Sequence, residues 1–196
     1  MSTTVAEVGH IATSEEAHEI AQNGAFVRQK NRFTTPFGEQ PGDLPVEKAR
    51  YRLLWSPVCP WAHRAVIVRT LLGLENVISL GTANPVRTEQ GWEFSLDEGG
   101  VDPVLGIRYL PEIYAKSDAN YTGRATVPTV VDVKQGIVVN NDYFKLTNYF
   151  ETAFKPFHKP DAPDLYPESL RAEIDALNDV IFNDINNGVY LSLIHI

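Results

Sequence analysis

The sequence predicts an α/β domain followed by the start of an all-α one, and three observations carry that prediction. A short apolar run, Tyr51-Arg52-Leu53-Leu54-Trp55, leads through Ser56-Pro57-Val58-Cys59-Pro60 into an amphipathic stretch that stops at Gly73, which is a strand–turn–helix pattern. Two β-branched runs, at 129–133 and 137–139, flank Lys134-Gln135-Gly136 as the arms of a hairpin. Far along the chain, Leu170, Ile174, Leu177, Ile181 and Ile185 recur at spacings of three and four, the stripe of a helix that needs partners.

Taken in order, residues 1–50 show little periodicity, and Phe33-Thr34-Thr35-Pro36-Phe37-Gly38 with Pro41-Gly42 reads as an extended arm whose aromatics are free to pack on the domain. Residues 51–154 form the main domain. The first strand and helix are followed by a second strand at Val77-Ile78-Ser79-Leu80, completing a βαβ unit that requires parallel pairing. An insertion near 81–108 carries turn signals and acids, among them Asp97-Glu98-Gly99-Gly100 and Asp102-Pro103. A short helix at 109–116 comes next, then the hairpin, then a helix opened by Asn141-Asp142 and running to about Phe154. The resulting order, β-α-β-α-β-β-α, is that of the thioredoxin fold. Residues 155–167, with four prolines, read as a linker, and residues 168–196 as the first helix of an all-α domain, spanning 168–186, with an unmatched tail from Leu191 to Ile196.

A net charge of −8 without any basic cluster argues against nucleic-acid binding. The N-terminus lacks a basic stretch followed by an apolar one, and no run approaches the ~20 apolar residues of a membrane span. A cytoplasmic protein with no membrane attachment is the expectation. With a single cysteine there is no internal disulfide and no Cys-x-x-Cys pair, so thiol chemistry at Cys59 has to be resolved by an external thiol.

Cys59 falls at the N-cap of the first helix and Pro60 at its first position, where a missing N–H costs nothing. Unpaired N–H groups and the positive end of the helix dipole favour an anion there, so the thiol pKa is expected to fall from its free value of about 8.5 toward neutrality. Outside this context a free cysteine is more often a buried, inert core residue. Val127-Pro128 stands directly before the hairpin, where thioredoxin-like folds set a cis-proline against the helix bearing the thiol; a cis bond would leave the Val127 backbone open to pair with an extended peptide. His63, one turn after Cys59, reads as a neutral structural residue.

Ser56-Pro57-Val58-Cys59-Pro60-Trp61-Ala62-His63-Arg64, Gly91-Trp92-Glu93-Phe94, Arg108-Tyr109-Leu110, Tyr121-Thr122-Gly123-Arg124-Ala125-Thr126-Val127-Pro128-Thr129 and Asp184-Ile185-Asn186-Asn187-Gly188-Val189-Tyr190 occur in this order. Over roughly residues 25–190 the sequence resembles the xi-class glutathione transferases, the glutathionyl-hydroquinone reductases. The resemblance implies a thioredoxin-like N-terminal domain joined to an all-α glutathione-transferase C-terminal domain, here C-terminally truncated. It also implies a reaction in which an enzyme thiolate attacks the sulfur of a glutathionyl-hydroquinone and a second glutathione resolves the mixed disulfide.

In that reading Cys59 matches the nucleophile. Trp92, Arg124 and Val127 match glutathione-holding positions: an aromatic wall with an indole donor, a cation for a carboxylate, and a pairing backbone. Tyr190 matches a tyrosine of the hydroquinone pocket. Glutathione is a co-substrate, no metal or other cofactor is implied, and the partners are small-molecule thiols and quinone conjugates, with a homodimer compatible. One departure concerns Asn140-Asn141-Asp142-Tyr143, where the family has Asn-Asn-Glu-Ser holding the γ-glutamyl group. Asp142 keeps the carboxylate on a shorter side chain, Tyr143 replaces a hydroxyl by a ring, and the Tyr143 N–H is expected to remain available as a donor. Two alternatives stay open: a thiol- or peptide-binding module without turnover, and a monothiol, glutaredoxin-like deglutathionylase.

Overall fold

The structure, a computed structural model, describes residues 27–193; the readings for residues 1–26 and 194–196 lie outside the described residues. The chain divides into two compact units, which among the described residues comprise 31–163 and, separately, 27–30 with 164–193.

The first unit is built on a four-stranded sheet, β1 (Tyr51–Trp55), β2 (Ile78–Thr82), β3 (Thr129–Asp132) and β4 (Ile137–Asn140), in the order β2-β1-β3-β4. β1 runs parallel to β2, with Leu53 opposite Leu80, and antiparallel to β3, with Leu53 opposite Val130. β3 and β4 form the expected antiparallel hairpin, with a register shift between Val130 and Val131. Covered on both faces, β1 and β3 are buried along nearly their whole length rather than alternating between core and solvent.

Strand alternation sorts these runs into two cores. Tyr51, Leu53 and Val130 join Phe37, Leu72, Leu146, Phe150 and Phe154 on one face. Leu54, Val131 and Val138 join Phe94, Leu110, Ile113 and Tyr114 on the other. The arm therefore contributes Phe37 to the first core, while Phe33 packs against the second.

α1 (Pro60–Leu71) begins where the sequence places it, with Cys59 as N-cap and Pro60 at the first position. It ends at Gly73, whose φ of +74° suits glycine and whose missing Cβ avoids an approach of 2.7 Å to Lys159. α2 (Leu110–Ser117) starts one residue later than expected because Tyr109 is its N-cap; Glu112 Oε1 accepts the Tyr109 N–H at 2.7 Å. α3 (Leu146–Thr152) starts later still. Asp142 to Lys145 make a separate turn, closed by Leu146 N–H to Asp142 O at 2.9 Å.

The insertion is anchored by a contact its turn-rich sequence did not advertise. Arg52 on β1 donates from Nε and Nη2 to Asp102 Oδ2 at 2.9 and 2.7 Å, with both side chains buried. The other oxygen of Asp102 accepts the N–H groups of Val104 and Leu105. Gly81 makes room for this pair, since a Cβ there would lie 2.7 Å from Asp102 Oδ2.

In the second unit a 3-10 turn (Glu168–Leu170) leads into α4 (Arg171–Val180), a π turn (Ile181–Asn186) and α5 (Asn187–Leu193). The helical path thus continues to Leu193, beyond the expected end near Asn186, through a π turn that leaves no compositional trace. Leu170, Leu177, Val180, Ile185 and Val189 remain 47–60% exposed.

Two outcomes are expected. Asp102→Ala strands a buried guanidinium and should cost about 3–5 kcal/mol in urea unfolding, with Asp102→Asn less damaging because one amide oxygen remains to accept. The exposed apolar stripe should make the 196-residue chain self-associate as its concentration rises, with hydrogen exchange slow near Leu53 and Val130 and fast across α4. A monodisperse monomer with strong protection in α4 would contradict the second expectation.

Candidate active site

The strand-to-helix connection that carries Cys59 is fixed before the cysteine is reached. Trp55 Nε1 donates to Thr82 Oγ1 at 2.9 Å, buried Ser56 donates to Asn84 O at 3.4 Å, and the Cys59 N–H returns to Ser56 O at 3.0 Å. Cys59 itself is extended, with φ −89° and ψ 109°, and its carbonyl accepts the first helical bond, from His63 N–H at 2.9 Å. The half-buried thiol donates to Val127 O at 3.4 Å. The Val127–Pro128 bond is cis. His63 is exposed, with its ring 5.7 Å from that of Trp55.

The loop presenting Val127 hangs on one phenol. Tyr114 on α2 donates to Thr126 O at 2.8 Å and accepts from Asn141 Nδ2 at 3.3 Å, with Thr129 Oγ1 close against the same hydroxyl and donating to Thr126 O at 2.6 Å. Burial pushes the Tyr114 phenol above its ordinary pKa, so it remains a donor. Its ring meets Phe33 edge-on at 5.6 Å and Tyr121 at 5.1 Å. Tyr121 donates to Arg124 O at 2.7 Å, which ties down the turn before Val127.

Asn140 and Asn141, at the end of β4, bracket the arm. Asn140 donates to Thr35 O at 2.9 Å, and Asn141 exchanges hydrogen bonds with the Phe33 backbone, through its own N–H to Phe33 O at 2.8 Å and from Phe33 N–H to its Oδ1 at 3.1 Å. Asp142 follows, with Oδ1 accepting from Asn31 Nδ2 at 3.4 Å and from Lys145 N–H at 3.3 Å.

The structure therefore joins Cys59 directly to Val127, with Arg124 three residues earlier on the same loop. The Tyr143 ring stands 4.9 Å from that of Trp61 in the first turn of α1, which draws the segment before α3 toward the helix end carrying Cys59. Trp92, partly buried, packs against the same core as Cys59, and its carbonyl accepts the Leu110 N–H at 2.9 Å. One expectation is corrected: the Tyr143 N–H is spent locally on Asn141 O at 2.9 Å, because the chain turns there before α3 begins. Tyr190 lies on α5 of the second unit, where the Arg28 guanidinium sits 4.6 Å above its ring and donates to Asn187 Oδ1 at 3.1 and 3.3 Å. Among the described residues no group of His, Cys, Asp or Glu could hold a metal ion.

Tyr114, Phe33, Asn31 and Trp61 were not read as site residues from the sequence. The usable signal was Tyr114: a phenol inside an apolar helix must find a buried partner. Replacing it with Phe should cost about 1–3 kcal/mol near neutral pH, chiefly through the Asn141 amide, which loses its acceptor, since Thr129 Oγ1 still donates to the Thr126 carbonyl. The same phenol, with Tyr51, whose pKa burial pushes up to about 12, sets an alkaline limit. Both stay protonated in the fold where an unfolded tyrosine ionises, at about 10, so their contribution is complete below that pH and is lost as pH rises through their raised folded values, about 12 for Tyr51. Urea midpoints should fall between pH 9 and 11, and less steeply in Tyr114→Phe and Tyr51→Phe.

Residues 58–153 match the family model for the glutathione S-transferase N-terminal domain. Glutathione S-transferase omega-like 2 of Schizosaccharomyces pombe is 38% identical over 87% of this chain and 56% of its own length. Glutathionyl-hydroquinone reductase YqjG of Escherichia coli is 40% identical over 76% of this chain and 46% of its own length. Among solved structures, the Xi glutathione S-transferase of Phanerochaete chrysosporium superposes with a TM-score of 0.80 at 39% identity, covering 88% of this chain and 56% of that one. The glutathione-bound structure of YqjG superposes at 0.70 with 38% identity, covering 82% and 54%. The chain spans about half the length of the curated relatives it matches. On these likenesses, and on a thioredoxin-like sheet with a Cys-Pro helix start facing a cis-proline, the chain belongs with the xi-class glutathione S-transferases, whose N-terminal domain it shares.

Proposed function

We propose that this chain is a glutathione-dependent transferase that reduces glutathionyl-hydroquinones through a mixed disulfide at Cys59. The observation that carries the reading is the placement of its single cysteine at the N-cap of α1, against the backbone of Val127. The Cys59 thiolate attacks the glutathione sulfur; an S–S bond forms, the bond from that sulfur to the hydroquinone ring breaks, and the ring carbon takes a proton. A second glutathione thiolate then attacks the mixed disulfide, releasing glutathione disulfide and restoring Cys59. The helix N-terminus stabilises the thiolate as nucleophile and again as leaving group.

The remaining residues divide the substrate between them. Val127 pairs with the peptide backbone of glutathione, Arg124 meets a carboxylate, Trp92 walls the cleft, and Asp142 with Tyr143 face the γ-glutamyl end. For Tyr190, on α5, the role is the one the family resemblance implies, a phenol donor to a hydroquinone oxygen, and it rests on the sequence match alone. A cytoplasmic setting, where small thiols are kept reduced, supplies the co-substrate. A second reading, thiol binding without turnover, draws on the Tyr143 N–H, which the turn before α3 spends on Asn141.

Cys59→Ser separates binding from chemistry. It should still bind glutathione in a calorimeter while hydroquinone release from a glutathionyl-hydroquinone, followed by chromatography, drops at least about a thousandfold with the nucleophile gone. Release that persists in the variant would exclude Cys59 as nucleophile, and binding with no turnover in the unaltered chain would favour the second reading.

A further inference from the structure

We propose that Asn31, on the arm, is a specificity residue of the thiol site: its side-chain amide closes the γ-glutamyl end, with one N–H on the Asp142 carboxylate and the other for the α-carboxylate of glutathione. The inference rests on the glutathione reading above and adds to it the donor that tells a γ-glutamyl thiol from one without that carboxylate.

The γ-glutamyl end of glutathione is a zwitterion, and each of its charges has to be met as it leaves water. Asp142 answers the ammonium. The carboxylate needs a donor, and the turn around Asp142 uses four of its own backbone N–H groups internally. The Asp142 N–H goes to Asn140 Oδ1 at 2.9 Å and the Tyr143 N–H to Asn141 O at 2.9 Å, while Lys145 and Leu146 donate to Asp142 O at 3.1 and 2.9 Å. Glutathione carries a second carboxylate at its glycyl end, and Arg124, on the Val127 loop, serves one of the two.

Asn31 reaches Asp142 across 111 positions of chain because the arm is pinned just after it. Phe33 exchanges hydrogen bonds with Asn141 at 2.8 and 3.1 Å, Thr34 bridges to Asn140, and Thr35 O accepts from Asn140 at 2.9 Å. Arg32, between them, pairs with Asp118 at 2.8 Å. The half-buried Asn31 side chain is thereby held at Asp142, where its Nδ2 donates to Oδ1 at 3.4 Å. An amide nitrogen carries two hydrogens, so the bond to Asp142 leaves a second N–H beside the carboxylate that meets the ammonium. Donor and acceptor stand side by side, as the carboxylate and ammonium of an α-amino acid do. Lys145 is the cation nearest in sequence to Asp142, but its side chain is exposed, which makes its substitution the control.

The test is calorimetric titration with two ligands: S-methylglutathione, and its analogue with 4-aminobutanoyl in place of the γ-glutamyl residue, which lacks only the α-carboxylate. The unaltered protein should bind S-methylglutathione about tenfold more tightly than the analogue, the worth of one hydrogen bond to a charged group. In Asn31→Ala that preference should vanish, with Kd for S-methylglutathione raised about tenfold and Kd for the analogue moved by less than about threefold. Asn31→Asp, which sets a carboxylate against the ligand's own, should invert the preference. Lys145→Ala should keep it. Equal affinity of the unaltered protein for both ligands, an equal loss of both in Asn31→Ala, a preference kept in both Asn31 variants, or one that disappears in Lys145→Ala would each overturn the assignment and leave the glutathione site standing. Failure of the unaltered protein to bind S-methylglutathione would overturn the site, and this inference with it.

Discussion

The Tyr114 phenol is the point on which the site's geometry depends. Its oxygen meets Thr126, Thr129 and Asn141, which belong to the Val127 loop, the first strand of the hairpin and the segment before α3. Asn141 in turn holds the Phe33 backbone, so the arm joins the same network. A polar network in a low-dielectric interior is stabilising only when each member is satisfied, and here a single hydroxyl serves as donor and acceptor at once. The position of the Val127 carbonyl relative to the Cys59 sulfur follows from that arrangement rather than from any contact the sulfur makes.

A second constraint acts on the same face of the sheet, beside β1 and β2. Asp102 receives two Arg52 donors and two backbone N–H groups, which together satisfy its carboxylate where water cannot reach. The connection that brings Phe94 into the core and sets the Trp92 carbonyl at the start of α2 is therefore held at its base. Trp92 is presented by a braced segment, even though its residues form no strand and only a single short 3-10 turn.

Much of this was legible in the residues. β1, the start of α1 and the hairpin follow from apolar runs bounded by Pro and Gly, because their signals are local. The late start of α3 was not legible: Asn141 and Asp142 are good cap residues, and the choice between capping a helix and closing a separate turn is decided by what Asn31 and Phe33 bring from more than a hundred positions away. Arg52 with Asp102 was invisible for the same reason, two charged residues 50 apart that reveal a pair only once β1 and the insertion are in place. At the site, Cys59 and Val127 could be named because strand–turn–helix context and a proline before a hairpin carry chemistry, whereas Tyr114 looked like one more apolar position in a helix.

Arg28 and Asn187 are separated by 159 residues of chain, yet their side chains bond and the Arg28 guanidinium covers Tyr190. Contacts of such sequence separation close the largest loops, and although the entropic cost of closure grows only slowly with length, it is met before any contact rewards it. The sheet of the first unit, by contrast, closes through a hairpin and a βαβ step whose partners lie within about 80 positions. During synthesis the ribosome would therefore deliver every residue of the thiol-bearing sheet before Arg28 could meet its aromatic partner. The second unit, discontinuous in sequence, is the part whose completion has to wait for a segment made well after the sheet.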